Sequence, residues 1–240
     1  MFAIYKKELK IYFSTAIGYV FLGIYMLLAG LLYALINLAS LSGDIPSFLG
    51  QFSIIQLFLI PMLSMGFFAK EYIEGTSKLL FSAPIKSSDI VLGKFLAGLT
   101  MILLSCTLSL VFIIITAIYG EVYIAETLLA YCGFFLLSIF ILSIDTFLSS
   151  FALNQITAII ISFAINLMLW LIDLINIDTT TIAGMILAFI SPYKRVSSFM
   201  LGQLSIANLL YFLLFSCIFL WACVLNINTH IYGGVIDENK

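Results

Sequence analysis

Long apolar stretches, separated by short polar turns, run from near the start of the chain to near its end. An α-helix needs about 20 mainly apolar residues to cross a hydrocarbon core of about 30 Å. Six stretches approach or exceed that length, and they cover residues 17–40, 52–69, 95–119, 127–148, 156–175 and 206–226. The pattern therefore predicts an all-α integral membrane protein with six transmembrane helices.

The first 15 residues have a different pattern. Five apolar residues recur there at helical spacings, and they are Phe2, Tyr5, Leu9, Tyr12 and Phe13. The lysines at positions 6, 7 and 10 fall in another sector of the same helix. This arrangement is typical of an amphipathic helix that lies on a membrane surface. The alternative interpretation is an ordinary basic flank of the first span.

The segment of residues 176–205 is also irregular. Its apolar run is too short to cross a bilayer, and Ser191 and Pro192 interrupt it. We interpret it as two short helices that enter the membrane and return, an outer re-entrant hairpin between spans five and six.

Composition supports a lipid environment and narrows the possible functions. Apolar residues make up 63% of the 240 residues and charged residues only 9%, against about 25% charged in soluble domains. Ten basic residues without a dense cluster make nucleic-acid binding improbable. The sequence shows no Walker-type ATP-binding loop, metal-ligand spacing or hydrolase motif. We therefore expect no catalytic residue, no metal site and no enzymatic activity in this chain.

The distribution of basic residues predicts the orientation. With both termini in the cytoplasm, eight of the ten basic residues are inside, and only Lys194 and Arg195 are outside. This is the distribution that the positive-inside rule favours. We expect these two residues, with Ser191 and Pro192, to form an outer gate; the alternative is that the membrane simply tolerates them. Two acidic residues fall within predicted spans, Asp145 and Asp173, and the sequence leaves their roles open.

The loop of residues 70–94 carries the most informative pattern. Thr76 is a candidate N-cap for a short helix over residues 77–82, and Pro84 ends that helix. Leu79 and Leu80 lie within it next to a phenylalanine, so at least one apolar side chain should project into the cytoplasm. This favours a docking surface for a partner, although an ordinary cytoplasmic loop remains the alternative.

At these residues the chain resembles the ABC-2 type exporter permeases. The matching positions are Glu71, Glu74-Gly75-Thr76, Leu79-Leu80, Pro84-Ile85, Asp89-Ile90 and Gly93-Lys94. The start of the chain and the Ser191-Pro192 region also match, and the closest resemblance is to the gliding-motility and nitrous-oxide-reductase maturation permeases. The resemblance covers essentially the whole chain, residues 1–240, as one ABC-2 type transmembrane domain.

The resemblance implies a multi-pass exporter subunit in the inner or plasma membrane. It would pair with a second copy or a related permease and bind two copies of an ABC ATPase subunit. That ATPase would hold ATP and Mg²⁺, and this chain would hold no cofactor. The implied docking residues are Glu74, Gly75, Thr76, Leu79, Leu80 and Pro84. A secondary transporter, or a non-transporting membrane scaffold or enzyme, remains the alternative, and the cargo is unidentified but expected to be amphipathic.

Overall fold

Helices form all the regular secondary structure of the described part of the chain. The computed structural model describes residues 1–73, 75, 86–174, 184, 187 and 189–237. We number the helices α1 Phe2–Ser14, α2 Ala16–Tyr33, α3 Ile45–Ser64, α4 Ala69–Ile73, α5 Ser87–Ser109, α6 Val111–Tyr119, α7 Ile124–Ser149, α8 Gln155–Leu174, α9 Pro192–Met200 and α10 Ile206–Asp237. A π-helical segment, Ala34–Leu38, continues α2.

Six helical stretches in the described part are long and apolar enough to span a membrane, which confirms the predicted number. They are Ala16–Leu38, Ile45–Glu71, Ser87–Tyr119, Ile124–Ser149, Gln155–Leu174 and Ile206–Thr229. The chain is a multi-pass, all-α membrane protein.

The second and third spans begin earlier than the hydrophobic pattern predicts, at Ile45 instead of residue 52 and at Ser87 instead of residue 95. Asp44 is the physical reason for the first difference, because its carboxylate accepts a hydrogen bond from the Ser47 backbone N–H at 3.1 Å. Pro46 in the first turn is compatible with a helix start. The first turn of α5 is polar, with Ser87, Ser88 and Asp89, so an apolar pattern does not reveal where this helix begins.

Helix α7 is the centre of the bundle and contacts α3, α5, α8, α9 and α10. In the most apolar stretch of this helix 72% is buried inside the bundle, against 22% in the first span and 17% in the fifth. The ring of Phe134 on α7 stacks on Phe52 of α3, with the centroids 5.6 Å apart. The first and fifth spans therefore lie at the periphery, with most of their surface available to lipid or protein.

Helix α1 packs against α2 and α5. It buries Ile4, Glu8 and Tyr12. Of the five apolar residues predicted to share one face, only Tyr12 is buried, and Phe2 is 71% exposed. The side of α1 that faces the bundle therefore differs from the predicted apolar face, because the Glu8 carboxylate lies at the centre of that side.

Helix α9 belongs to the segment predicted as a re-entrant hairpin. It packs against α7 where Gly133 faces Phe199, so closely that a Cβ at Gly133 would lie 2.4 Å from the Phe199 Cβ. Residues 175–183 lie outside the described part, and so does most of the hairpin's first arm. The hairpin as a whole remains a prediction.

Candidate functional site

A cluster of four charged side chains joins three helices at the end of the bundle that carries α1. The Lys94 Nζ of α5 lies 2.9 Å from the Glu8 Oε1 of α1 and 2.9 Å from the Glu71 Oε1 of α4. The Lys7 Nζ lies 3.3 Å from the same Glu71 oxygen. We call these residues, Lys7, Glu8, Glu71 and Lys94, the charge cluster.

Burial makes this cluster energetically demanding. Lys94 is only 1% exposed, and both glutamates are buried as well. Its ammonium also lies 5.3 Å from the centroid of the Phe68 ring, within reach of a cation–π attraction. A buried ammonium is tolerated only when it is paired and hydrogen-bonded. Lys94 therefore needs both carboxylates, and the three helices are held in one relative position.

The cluster lies at both ends of the segment predicted to dock a partner. Glu71 precedes and Lys94 follows the segment predicted to dock a partner. Their ion pair joins the two helices on either side of that segment. Glu8 adds α1 to the same joint. A displacement of the segment would thus be passed to α1, to the second span and to the third span together.

Of the residues predicted to dock a partner, the structure describes only Gly75. It is exposed and has a φ of +66°, a left-handed conformation that glycine adopts without steric cost. It follows the end of α4 at Ile73, where such a glycine commonly terminates a helix. Glu74, Thr76, Leu79, Leu80 and Pro84 lie outside the described residues, so their docking role remains a prediction.

A cavity of about 260 Å³ adjoins the cluster, between α1 and the end of α3. Tyr12 lines it and donates a hydrogen bond to the Leu63 carbonyl at 2.9 Å. Burial, with the nearby Glu8 carboxylate, raises the pKa of Tyr12 well above its usual value. The phenol therefore stays protonated, and its hydrogen bond links α1 to α3 without adding a charge.

The residues predicted to form an outer gate lie around the start of α9. Ser191 is its N-cap and accepts a hydrogen bond from the Lys194 backbone N–H at 3.3 Å, and Pro192 occupies the first turn. The Ser191 hydroxyl also donates to the Asp173 carboxylate at 3.3 Å. The pair of Ser191 and Asp173 therefore fastens α8 to α9.

The two basic residues of α9 have different surroundings. Lys194 is exposed. The Arg195 guanidinium lies 4.2 Å from the Tyr211 ring centroid and 4.7 Å from that of Phe189, and it donates to Asn208 at 3.0 Å. Arg195 thus fastens α9 to α10. The outer gate stays a prediction.

Asp145 is fully buried between α7 and α8. Its Oδ1 accepts a hydrogen bond from the Asn166 amide at 2.9 Å, while its Oδ2 has no hydrogen-bond partner among the described residues. The sequence left the role of Asp145 open, and the structure shows it as a buried, hydrogen-bonded contact between α7 and α8. In the described part of the chain, no group of His, Cys, Asp and Glu could hold a metal ion.

Sequence reasoning missed the charge cluster. It counted Lys94 among the loop lysines, because the third span was expected to start at residue 95. The available signal was a lysine seven residues into a helix that begins at Ser87, with glutamates in two neighbouring segments. No local pattern in the sequence shows that these side chains contact one another in the fold.

Comparison with known proteins supplies the family. A family model described as "ABC-2 family transporter protein" matches residues 3–218, which is most of the chain. The chain belongs to the ABC-2 transporter family. A comparison with individually curated proteins found no match. ABC-2 membrane domains are generally not enzymes, and membership implies an ABC ATPase subunit as the partner of this permease.

Proposed function

We propose that this ABC-2 protein is the permease subunit of an exporter that a separate ATPase subunit drives. The charge cluster carries the proposal, because it ties both flanks of the predicted docking segment to α1 through Lys94. An ATPase that moves that segment would therefore move the second and third spans as one body. Rigid-body displacement of packed helices is a common route for such coupling.

The proposed assembly contains two ATPase copies and two permeases, the second permease being another copy or a related chain. ATP and Mg²⁺ would bind to the ATPase subunits. Both termini would be cytoplasmic in the inner or plasma membrane, with α1 as a surface helix that directs Lys6 and Lys10 to the headgroups. The closer likeness to the gliding-motility and nitrous-oxide-reductase maturation permeases rests on the sequence motifs alone.

Substitution of Leu80 by aspartate tests the docking role. A charge buried without a partner in an interface costs about 2–5 kcal/mol, so Leu80→Asp should weaken ATPase binding at least about thirtyfold. The measurement is co-purification of the tagged permease with its ABC ATPase partner. Leu41→Asp is the matched control, because Leu41 is 93% exposed in the turn after the first span, at the opposite end of the bundle.

The expected result is loss of the ATPase from Leu80→Asp and retention by Leu41→Asp, at equal expression. Undiminished co-purification of Leu80→Asp would contradict docking at this residue. A secondary transporter or a scaffold would show no stable ATPase with any variant, including the parent.

A further inference from the structure

Helix α8 contacts the bundle through a narrow and partly polar face. Only three of its residues are buried, and they are Ala158, Ser162 and Asn166, spaced one helical turn apart. The fifth span is also the least buried of the six. Polar side chains commonly hold helices together inside a membrane. The attachment of α8 to the bundle therefore depends on what Asn166 contacts.

Asn166 contacts Asp145 of α7. Its amide N–H donates to the Asp145 Oδ1 at 2.9 Å, and Asp145 is 0% and Asn166 1% exposed. No ion pair among the described residues involves Asp145. An ionised carboxylate buried without a positive partner is strongly unfavourable, and such a group usually becomes neutral instead. A negative charge on Asp145 therefore lacks compensation.

The second oxygen of each side chain has no hydrogen-bond partner among the described residues. These oxygens are the Asp145 Oδ2 and the Asn166 Oδ1. Each shares a carbon with an atom of the 2.9 Å hydrogen bond, so the two oxygens are neighbours. Both are acceptors, and two acceptors cannot satisfy each other, whereas a protonated carboxyl group donates. A proton on Oδ2 would therefore supply the missing donor for both oxygens at once.

Tyr193 of α9 is a third buried group near the same carboxylate. It is 6% exposed, and its hydroxyl also lacks a hydrogen-bond partner in the described part of the chain. Burial, and then the Asp145 and Asp173 carboxylates, raise the pKa of Tyr193. Its hydroxyl stays neutral, so it adds a further acceptor beside Asp145 and no positive charge.

The other helices packed on α7 do not supply a counter-charge to Asp145. On α10, the Cys223 thiol donates to a backbone carbonyl of α7 at 3.7 Å. On α5, the Lys94 ammonium is paired within the charge cluster. Helix α3 has no titratable residue, and on α8 the hydroxyl of Ser162 is the other polar neighbour of the carboxylate. A bound Mg²⁺ or Ca²⁺ takes about six or more oxygen ligands, which makes a proton the better fit for so few oxygens.

We propose that Asp145 is a proton-binding site, and that a proton on its Oδ2, donated to the Asn166 Oδ1, fastens α8 to α7. When this proton passes to water, the hydrogen bond it makes is lost and a charge is left in the contact. Helix α8 has little other buried surface, so it would move away from α7 until water reaches the carboxylate. The site does not depend on how the protein is driven.

Infrared spectroscopy of the full chain in dodecyl maltoside micelles tests the proton directly, because this detergent has no carbonyl group. A protonated carboxyl group has a carbonyl stretch that a carboxylate lacks. The parent should show this band at neutral pH, and Asp145→Asn should lose it. Asp173→Asn is the matched control, because Asp173 is an exposed residue of the same span, and it should keep the band. A spectrum that Asp145→Asn leaves unchanged would overturn the proposal.

A second variant guards against a folding defect in Asp145→Asn. The exchange Asp145→Asn/Asn166→Asp keeps one carboxyl group facing one amide, so the carbonyl band should return. A double variant that elutes as the parent does from a size-exclusion column but lacks the band would contradict a proton shared by this pair.

Movement of α8 is measured at Ala158, which is 1% exposed on the same face. On a cysteine-free background, Ala158→Cys should react faster with a maleimide as the pH is raised, because Asp145 loses its proton. Adding Asp145→Asn should leave only the pH dependence of the thiol itself. The same pH dependence in both backgrounds would overturn the role of the proton in attaching α8.

A last arm separates a proton from a metal cation. Replacing choline chloride by sodium chloride at equal ionic strength should leave the Tm of the parent unchanged. A rise in Tm that is specific for sodium, and that Asp145→Asn abolishes, would assign these oxygens to a metal cation and overturn the proposal.

Discussion

Replacing Lys94 by methionine removes the ammonium on which the charge cluster depends. Methionine keeps a similar length and apolar stem, so the substitution leaves the packing against Phe68 largely filled. The glutamates at positions 8 and 71 then remain buried without their shared partner. Lys7 still lies 3.3 Å from the Glu71 carboxylate and 4.0 Å from that of Glu8, but its side chain is about half exposed and screened by water.

The structure gives the size of the effect. Both Oε1 atoms lie 2.9 Å from the same Nζ, so they are at most about 6 Å apart, and their repulsion is about 3 kcal/mol at an effective dielectric constant of about 20. Removing one partner of a buried ion pair typically costs about 3–5 kcal/mol. For a chain of this length, that loss corresponds to a fall in Tm of about 10 °C.

Thermal unfolding of the detergent-solubilised protein, followed by size-exclusion chromatography of heated samples, measures this fall. Lys6→Met is the matched control, because Lys6 is exposed on α1, the helix that contributes Glu8 to the cluster. The triple variant Lys94→Met/Glu8→Gln/Glu71→Gln should recover most of the loss, since an uncharged replacement of a buried ion cluster is often neutral. A Lys94→Met variant as stable as Lys6→Met would refute the reasoning.

Two further predictions concern packing and orientation. Gly133→Ala should push α9 off α7 by clashing with Phe199, and destabilise the protein by about 1–3 kcal/mol, whereas Gly23→Ala, with nothing within 4 Å of its added Cβ, should be nearly neutral in the same thermal assay. On a cysteine-free background, Leu41→Cys should react with an impermeant thiol reagent outside intact cells and Lys86→Cys should not; equal labelling of both from outside would contradict cytoplasmic termini.

The spans could be predicted from sequence because the signal is strong and local. In a chain with so little charge, a run of about 20 apolar residues has few structural alternatives to a transmembrane helix. The predicted ends of the spans were less accurate, because capping residues determine where a helix begins and ends. Asp44 begins α3 seven residues or so before the apolar pattern does, and the polar first turn of α5 was interpreted as part of a loop.

The candidate site could be predicted only where its residues are neighbours in sequence. Lys94 and Glu71 are separated by 23 positions, and Lys94 and Glu8 by 86. Considered separately in the sequence, each of these three residues is an ordinary charged side chain near a membrane surface. Only the packing of α1 on α5, where Gly93 approaches Ile4 closely, shows that the three charges share one buried site.

The two ends of the bundle differ in how their charged residues are paired. At the α1 end, the charges of Lys94 and its partners neutralise one another and hold helices together. At the other end, Asp44, Glu126 and Asp173 line a cavity, and none of the described residues that line it is lysine or arginine. Helix α3 begins at Asp44 in that cavity, and its span continues to Glu71 in the charge cluster. Because residues 65–68 are not helical and separate α3 from α4, a movement applied beside Glu71 would act first on α4 and on its partners in the charge cluster, and would reach α3 only through that break.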